Sequence, residues 1–184
     1  MGALWGPTPA GLGRQRVLGS HRWRTQLGPG RGLCYLRAML DEALMAFVKA
    51  FMEEQIPFNK HLGIRLLELR EGEATLEIPY RDALIGDPFR PALHGGVISA
   101  LLDTCGGAAV FSTFTDVGDR TSTVDLRVDY LRPGRQETVR AHGRVLRIGN
   151  RVAVVHLDAF HPGAEDAPIA TGTGVYNVRR AQDG

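Results

Sequence analysis

Residues 94–114 read His94-Gly95-Gly96-Val97-Ile98-Ser99-Ala100-Leu101-Leu102-Asp103-Thr104-Cys105-Gly106-Gly107-Ala108-Ala109-Val110-Phe111-Ser112-Thr113-Phe114. Apolar and small residues occupy nearly every position, and Asp103 is the only charged residue between His94 and Asp116. A helix that is apolar all round is a buried helix. The stretch therefore predicts a core helix over 95–114, entered through a His-Gly-Gly turn.

Upstream, Leu40, Leu44, Phe47, Val48, Phe51 and Met52 recur at helical spacing and predict an amphipathic helix that Pro57 ends. Two strands are expected at 64–69 and 73–80, turning at Glu71-Gly72, and then a loop over Gly86-Asp87-Pro88-Phe89-Arg90-Pro91. Downstream, residues 121–132 alternate, with Val124, Leu126, Val128 and Tyr130 on one face and Asp125, Arg127 and Asp129 on the other. Strands near 137–148, 151–160 and 169–179 follow, separated by turns at Gly149-Asn150 and His161-Pro162-Gly163.

Helix, two strands, buried helix, four strands is an α+β order. One long antiparallel sheet curled around the central helix accounts for it. Such a sheet leaves open edges and covers the helix incompletely, so edge-to-edge dimerisation is expected.

The 184 residues suffice for one domain. No apolar run reaches the roughly 18–20 residues of a membrane span. Two cysteines, Cys34 and Cys105, make no disulfide framework, so a reducing, cytoplasmic setting is the default. The net charge of +2 is uneven: six arginines precede Asp41 with no acidic residue among them, and the remaining sixteen basic residues face twenty acidic ones, leaving −4 over 41–184. That excludes a nucleic-acid stripe on the folded part. Residues 1–38 are rich in Gly, Pro and Arg without apolar periodicity, and are expected to be a disordered extension ahead of a domain over 39–184. Three origins compete: a mis-assigned start with Met39 or Met45 the true one, an organellar transit peptide that would direct the protein to a matrix, or a basic tail that touches a partner.

Asp103 is the first candidate for chemistry. An unpaired carboxylate in an apolar helix costs several kcal/mol, so it is functional, bonded to a neighbouring hydroxyl, or placed where the helix emerges at the surface. The His94-Gly95-Gly96 turn is the second. Glycines at a helix start leave free N–H donors suited to a carbonyl oxygen gaining charge, although the same pair also serves a plain tight turn. Asp103 follows His94 by nine residues. At ~100° and ~1.5 Å per residue the two are roughly half a turn out of phase and about 13 Å apart along the axis. They cannot converge on one small substrate within one chain, whereas two antiparallel helices from two chains can bring them together. Cys105 sits in an apolar setting and reads as an inert packed thiol. Gly172-x-Gly174 lies in a strand with no following helix, so it is not a dinucleotide loop. The histidines and cysteines form no ligand cluster, so no metal and no cofactor are expected.

Residues 94–104 (HGGVISALLDT), 123–134 (TVDLRVDYLRPG) and 171–178 (TGTGVYNV) together resemble the hotdog-fold acyl-CoA thioesterases of the phenylacetate-pathway type, over about residues 45–180. The resemblance implies that the Gly95 N–H polarises the thioester carbonyl. It implies that Asp103 of the opposing subunit attacks it or activates a water, that Thr123 orients that carboxylate or water, and that His94 supports the turn. Relatives often carry Asn or Gln six residues before the histidine. Here that position is Pro88, with Asp87 beside it as a stand-in of different charge and register. Gly96, Arg132, Arg147, Asn150 and Arg151 complete the expected substrate contacts, the arginines toward the CoA phosphates.

The expected activity is hydrolysis of medium-chain or aromatic acyl-CoA by a homodimer, with two dimers pairing into a homotetramer. Two rivals stand beside it: a hotdog enoyl-CoA hydratase or dehydratase, and a non-catalytic acyl-CoA-binding module. The spacing from the His-Gly-Gly turn to Asp103 fits the thioesterases better than the hydratases. Residues 1–38 do not read as the helix-turn-helix a sensor would carry.

Overall fold

The computed structural model describes residue 43, residues 45–116 and residues 118–181. The expected extension over 1–38, together with Cys34, Leu40 and Leu44, lies outside the described residues.

The chain opens with a helix over residues 45–55 (α1), whose last turn, Phe51–Gln55, is π-helical. A short helix Pro57–Leu62 (α2) follows, then strands Arg65–Arg70 (β1) and Glu73–Ile78 (β2). A two-stranded hairpin, Ile85–Asp87 (β3) with Ala92–Leu93 (β4), leads into the long helix Gly95–Phe111 (α3). Strands Arg120–Tyr130 (β5), Val139–Ile148 (β6), Val152–Phe160 (β7) and Ala170–Arg179 (β8) complete the fold. Six of the strands form one sheet in the order β1-β2-β6-β7-β8-β5, every pair antiparallel.

The sheet wraps α3, as expected. Leu101, Leu102, Cys105, Ala109 and Val110 of the helix are fully buried against Leu76, Val139, Ala141, Val155 and Leu157 of the sheet. This is the hotdog arrangement. No helix among the described residues is long and apolar enough to cross a membrane.

Three local expectations need correction. Pro57 does end α1, with Ile56 extended before it, but it also opens α2 at the first helical position. A proline restricts the residue before it to extended backbone, and its own fixed φ suits a helix start. The buried Asn59 side chain donates to the Met52 carbonyl at 3.0 Å and ties the two helices at this corner. Among the described residues of the expected apolar face, Val48 and Met52 reach the core, whereas Phe47 and Phe51 remain exposed. The stripe at 48 and 52 faces the core, and its neighbour at 47 and 51 is turned away.

The third correction concerns β5. Its pairing with β8 slips between Thr123 and Asp125, which makes Val124 a bulge residue, 63% exposed. Leu126 and Val128 pack on the core as expected, but Val124 does not. A bulge inserts one unpaired residue and reverses the alternation beyond it.

Candidate functional site

The entry to α3 is held from both sides. The His94 N–H donates to the Leu84 carbonyl at 2.8 Å, and the Leu93 N–H to the Gly134 carbonyl at 2.9 Å. Exposed His94 is the N-cap, and its Nδ1 accepts from the Gly96 N–H at 2.9 Å. Accepting at Nδ1 puts the ring proton of neutral His94 on Nε2, the nitrogen that remains available to a ligand. The Gly96 N–H is thus engaged. The Gly95 N–H belongs to the first turn and has no intrahelical acceptor.

Asp103 sits two turns further along α3, half-buried. The Thr123 hydroxyl donates to Asp103 Oδ1 at 2.8 Å, and the buried Tyr176 hydroxyl lies 3.0 Å from the Asp103 carbonyl oxygen and 3.4 Å from Oδ1. Among the described residues Oδ2 accepts no hydrogen bond. Asp103 therefore combines one anchored oxygen with one open to a ligand. Burial above all, and next the negative charge of Asp103, push the Tyr176 phenol well above its ordinary value. Tyr176 stays a neutral donor and is no base.

Tyr130 lies at the other end of the same helix face. Its hydroxyl donates to the Gly95 carbonyl at 2.9 Å and stands 2.5 Å from Ser99 Oγ. Gly95, Ser99 and Asp103 thus form one stripe along α3, pinned at both ends by β5. Reading the sequence alone missed Tyr130, Ser99 and Tyr176. Tyr130 closes the alternating face of its strand, and Tyr176 follows the Gly172-x-Gly174 pair in a strand, which is the only trace either leaves in the sequence.

The remaining expected residues divide into three places. Arg132 lines a cleft of about 360 Å³ with Gly95, Ile98 and Tyr130, and its Nη1 donates to the Pro168 carbonyl at 2.6 Å. Arg147, Asn150 and Arg151 come together around a second cleft of about 340 Å³ at the β6–β7 turn. Asp87 caps its own turn, with Oδ1 accepting from the Phe89 and Arg90 N–H groups at 2.9 and 3.2 Å. Cys105 is fully buried, its Sγ 3.3 Å from the Ala74 carbonyl oxygen and 3.4 Å from that of Ala141, and burial pushes the thiol up to about 12. That is the inert setting its neighbours in sequence implied.

Gly95 and Asp103 are eight residues apart on one straight helix, roughly 12 Å along its axis. A carbonyl bound at Gly95 is out of reach of the Asp103 carboxylate of the same chain. Thr123 lies on β5 and Asp103 beside it, and β5 is one of the two edge strands of the sheet, with eleven residues and no proline. Its outer side pairs with no strand of the same chain among the described residues, and an edge that long can template a further strand.

Comparison with known proteins bears on the family and the fold. Residues 91–167, which carry His94, Gly95, Asp103 and Thr123, match the thioesterase superfamily. The chain is similar to the medium/long-chain acyl-CoA thioesterase YigI of Escherichia coli, 36% identical over 149 residues that span 74% of this chain and 95% of that protein. Its counterpart from Salmonella typhimurium is 34% identical over the same shares. Among solved structures, a Shewanella oneidensis protein related to the thioesterase superfamily superposes with TM-score 0.66 at 28% identity, over 76% of this chain and 98% of that one. A thioesterase family protein from Silicibacter pomeroyi gives TM-score 0.62 at 30% identity, over 68% and 91%. At this identity and coverage of its relatives, and with one sheet wrapped on one helix as in the solved structures, this chain belongs to the thioesterase superfamily.

Proposed function

We propose that the protein hydrolyses acyl-CoA thioesters to free acid and CoA, at a site completed by two copies of the chain. The observation that carries this reading is the Asp103 carboxylate, with Oδ1 fixed by Thr123 at 2.8 Å on the side of the edge strand. The YigI relatives, acyl-CoA thioesterases by name, support the substrate class. The acyl group is medium to long or aromatic.

In this reading two β5 strands pair edge to edge, so that the helices lie antiparallel and Gly95 of one protomer faces Asp103 of the other. Pairing of two such dimers gives a tetramer. The thioester carbonyl accepts from the Gly95 N–H, which strengthens as the oxygen gains charge. Asp103 Oδ2 attacks the carbonyl carbon, or removes a proton from a water that does. The carbon–sulfur bond breaks, and the CoA thiolate leaves readily and takes up a proton. Where Asp103 has attacked, water cleaves the resulting anhydride and restores the carboxylate. His94 holds the turn through Gly96 and offers Nε2–H to the carbonyl or the leaving group. Arg147, Asn150 and Arg151 take the CoA phosphates at the β6–β7 turn, with Arg132 beside the Gly95 cleft. Asp87 acts indirectly, by holding the loop that precedes the His94 turn.

The test is release of free thiol from a panel of acyl-CoAs of graded chain length, with aromatic members included, by wild type and Asp103→Asn. The amide keeps the shape and loses the basicity. Turnover should fall on the order of 10²-fold or more with the fold and substrate binding retained. Wild-type release by Asp103→Asn makes the aspartate structural and removes the proposed chemistry.

A further inference from the structure

The sequence presents one motif that the proposed reaction leaves unused: Gly172-Thr173-Gly174-Val175-Tyr176 on β8, which lacks the following helix of a dinucleotide loop. The structure gives these glycines another purpose. Tyr176 is 1% exposed and lies between α3 and the sheet. A Cβ on Gly174 would stand 2.5 Å from its ring and 2.8 Å from its hydroxyl, and one on Gly106 of α3 would collide with the same hydroxyl. Two glycines, one on the strand and one on the helix, clear the volume the phenol fills. The hydroxyl so seated lies 3.0 Å from the Asp103 carbonyl oxygen and 3.4 Å from the carboxylate.

We infer that Tyr176 is a positioning residue for the reaction: seated by Gly106 and Gly174, its hydroxyl shares its one proton between the Asp103 backbone carbonyl at 3.0 Å and Oδ1 at 3.4 Å, and so ties the carboxylate to its own helical turn in the orientation that presents Oδ2 to the thioester. This inference rests on the reading of Asp103 as the reacting carboxylate. Thr123 approaches Oδ1 from the exposed edge strand, and Tyr176 approaches it from the buried side. With both present, rotation of the carboxylate about its Cβ–Cγ bond is blocked on each side. Thr123 alone leaves the buried side free. A phenol suits the buried contact because it gives a donor without a charge, so the carboxylate keeps its own negative charge for the reaction. The other buried tyrosine function, a base, is excluded by the raised phenol and by the proximity of Asp103.

Tyr176→Phe tests this. The ring and its seat are kept and only the hydroxyl goes. The expected result is a kcat about tenfold lower, the size of one lost bond to a charged group, with KM little changed. Adding Tyr176→Phe to Asp103→Asn should cause no further loss, since Tyr176 acts through Asp103. A merely structural tyrosine would lower thermal stability and cost both backgrounds alike. Replacing residue 176 with 3,5-difluorotyrosine keeps the hydroxyl but makes it a stronger donor, so it should alter kcat with Asp103 in place and leave the residual activity of Asp103→Asn unchanged. That arm decides the matter if the phenylalanine variant does not fold, an unaltered kcat overturning the inference. Wild-type kcat in Tyr176→Phe overturns the inference, as does an equal loss in the Asp103→Asn background. An inactive Asp103→Asn beside a fully active Tyr176→Phe defeats this inference alone, whereas an active Asp103→Asn defeats the proposed function itself.

Discussion

Thr123 and Tyr130 stand seven residues apart on β5 and both face α3, Thr123 on the Asp103 carboxylate at 2.8 Å and Tyr130 on the Gly95 carbonyl at 2.9 Å. An odd spacing on a regular strand puts two side chains on opposite faces. The bulge at Val124 removes the mismatch, since the register with β8 slips between Thr123 and Asp125. One unpaired residue thus lets a single strand reach both ends of the helical stripe.

Thr123 is expected to act through its hydroxyl and not its shape. Thr123→Val should leave the melting temperature close to wild type and lower kcat for thiol release about tenfold, the scale of a lost hydrogen bond to a charged acceptor. Thr123→Ser should keep most of the activity. Equal turnover by the valine and serine variants would show that the bond to Asp103 does no catalytic work.

Subunit exchange tests the shared site. Asp103→Asn and Gly95→Pro proteins, each inactive, are mixed after Gly95→Pro has been shown to dimerise. A heterodimer carries both lesions in one site and none in the other, so activity should rise to as much as half of wild type per heterodimer. Confirmed exchange with no recovery of activity places the whole site within one chain.

Asp119 governs part of the acid stability. It is 4% exposed, and its carboxylate accepts from the Ala181 N–H at 3.0 Å and from Arg180 at 2.8 Å. The Ala181 bond first, and then Arg180 against the opposing cost of burial, holds the carboxyl below the usual carboxylate range. A carboxyl lowered on folding adds stability that is fully present above its unfolded value and is lost as pH falls through its folded value. The melting temperature should therefore drop on acidification through and below the ordinary carboxylate range. Asp119→Asn should melt lower than wild type at neutral pH and show a shallower acid slope. Parallel slopes for the two proteins, followed by calorimetry, would remove Asp119 from this account.

Residues 1–38 are proposed to be dispensable, because an acid-free segment without apolar periodicity has little to bury. A chain starting at Met39 should fold and release thiol from acyl-CoA at the wild-type rate. Aggregation of that chain, or a loss of its activity, would assign the segment a part in the fold or the site.

The central helix was legible at once, because a run apolar on every face has no stable place except a core. The order of strands, the His94-Gly95-Gly96 turn and the isolation of Asp103 were legible for the same reason: each departs from its surroundings in a way that burial makes costly or backbone geometry makes necessary. Pro57 was only half legible. Its effect on the residue before it is local, but whether it ends one helix or also begins the next depends on what the following residues pack against. Of the supporting hydroxyls, Thr123 was reached only through the family resemblance, since it alternates in sequence with the polar face of its strand. Tyr176 was hidden altogether, 73 residues from the aspartate it touches.

By itself, then, the sequence determined which residues must be buried, where the backbone must bend, and that the His94 turn and Asp103, nine residues on, are too far apart on one helix to serve one carbonyl. These follow from hydrophobic pattern and helix geometry, which are properties of neighbours along the chain. Only the tertiary structure decided how Thr123 reaches Asp103 and that Tyr176 meets it too. The bulge at Val124 turns Thr123 inward, and the space above Gly106 and Gly174 admits the Tyr176 ring. Both depend on how β5 and β8 register against each other and on how closely α3 approaches the sheet, and those contacts join residues that no local pattern relates.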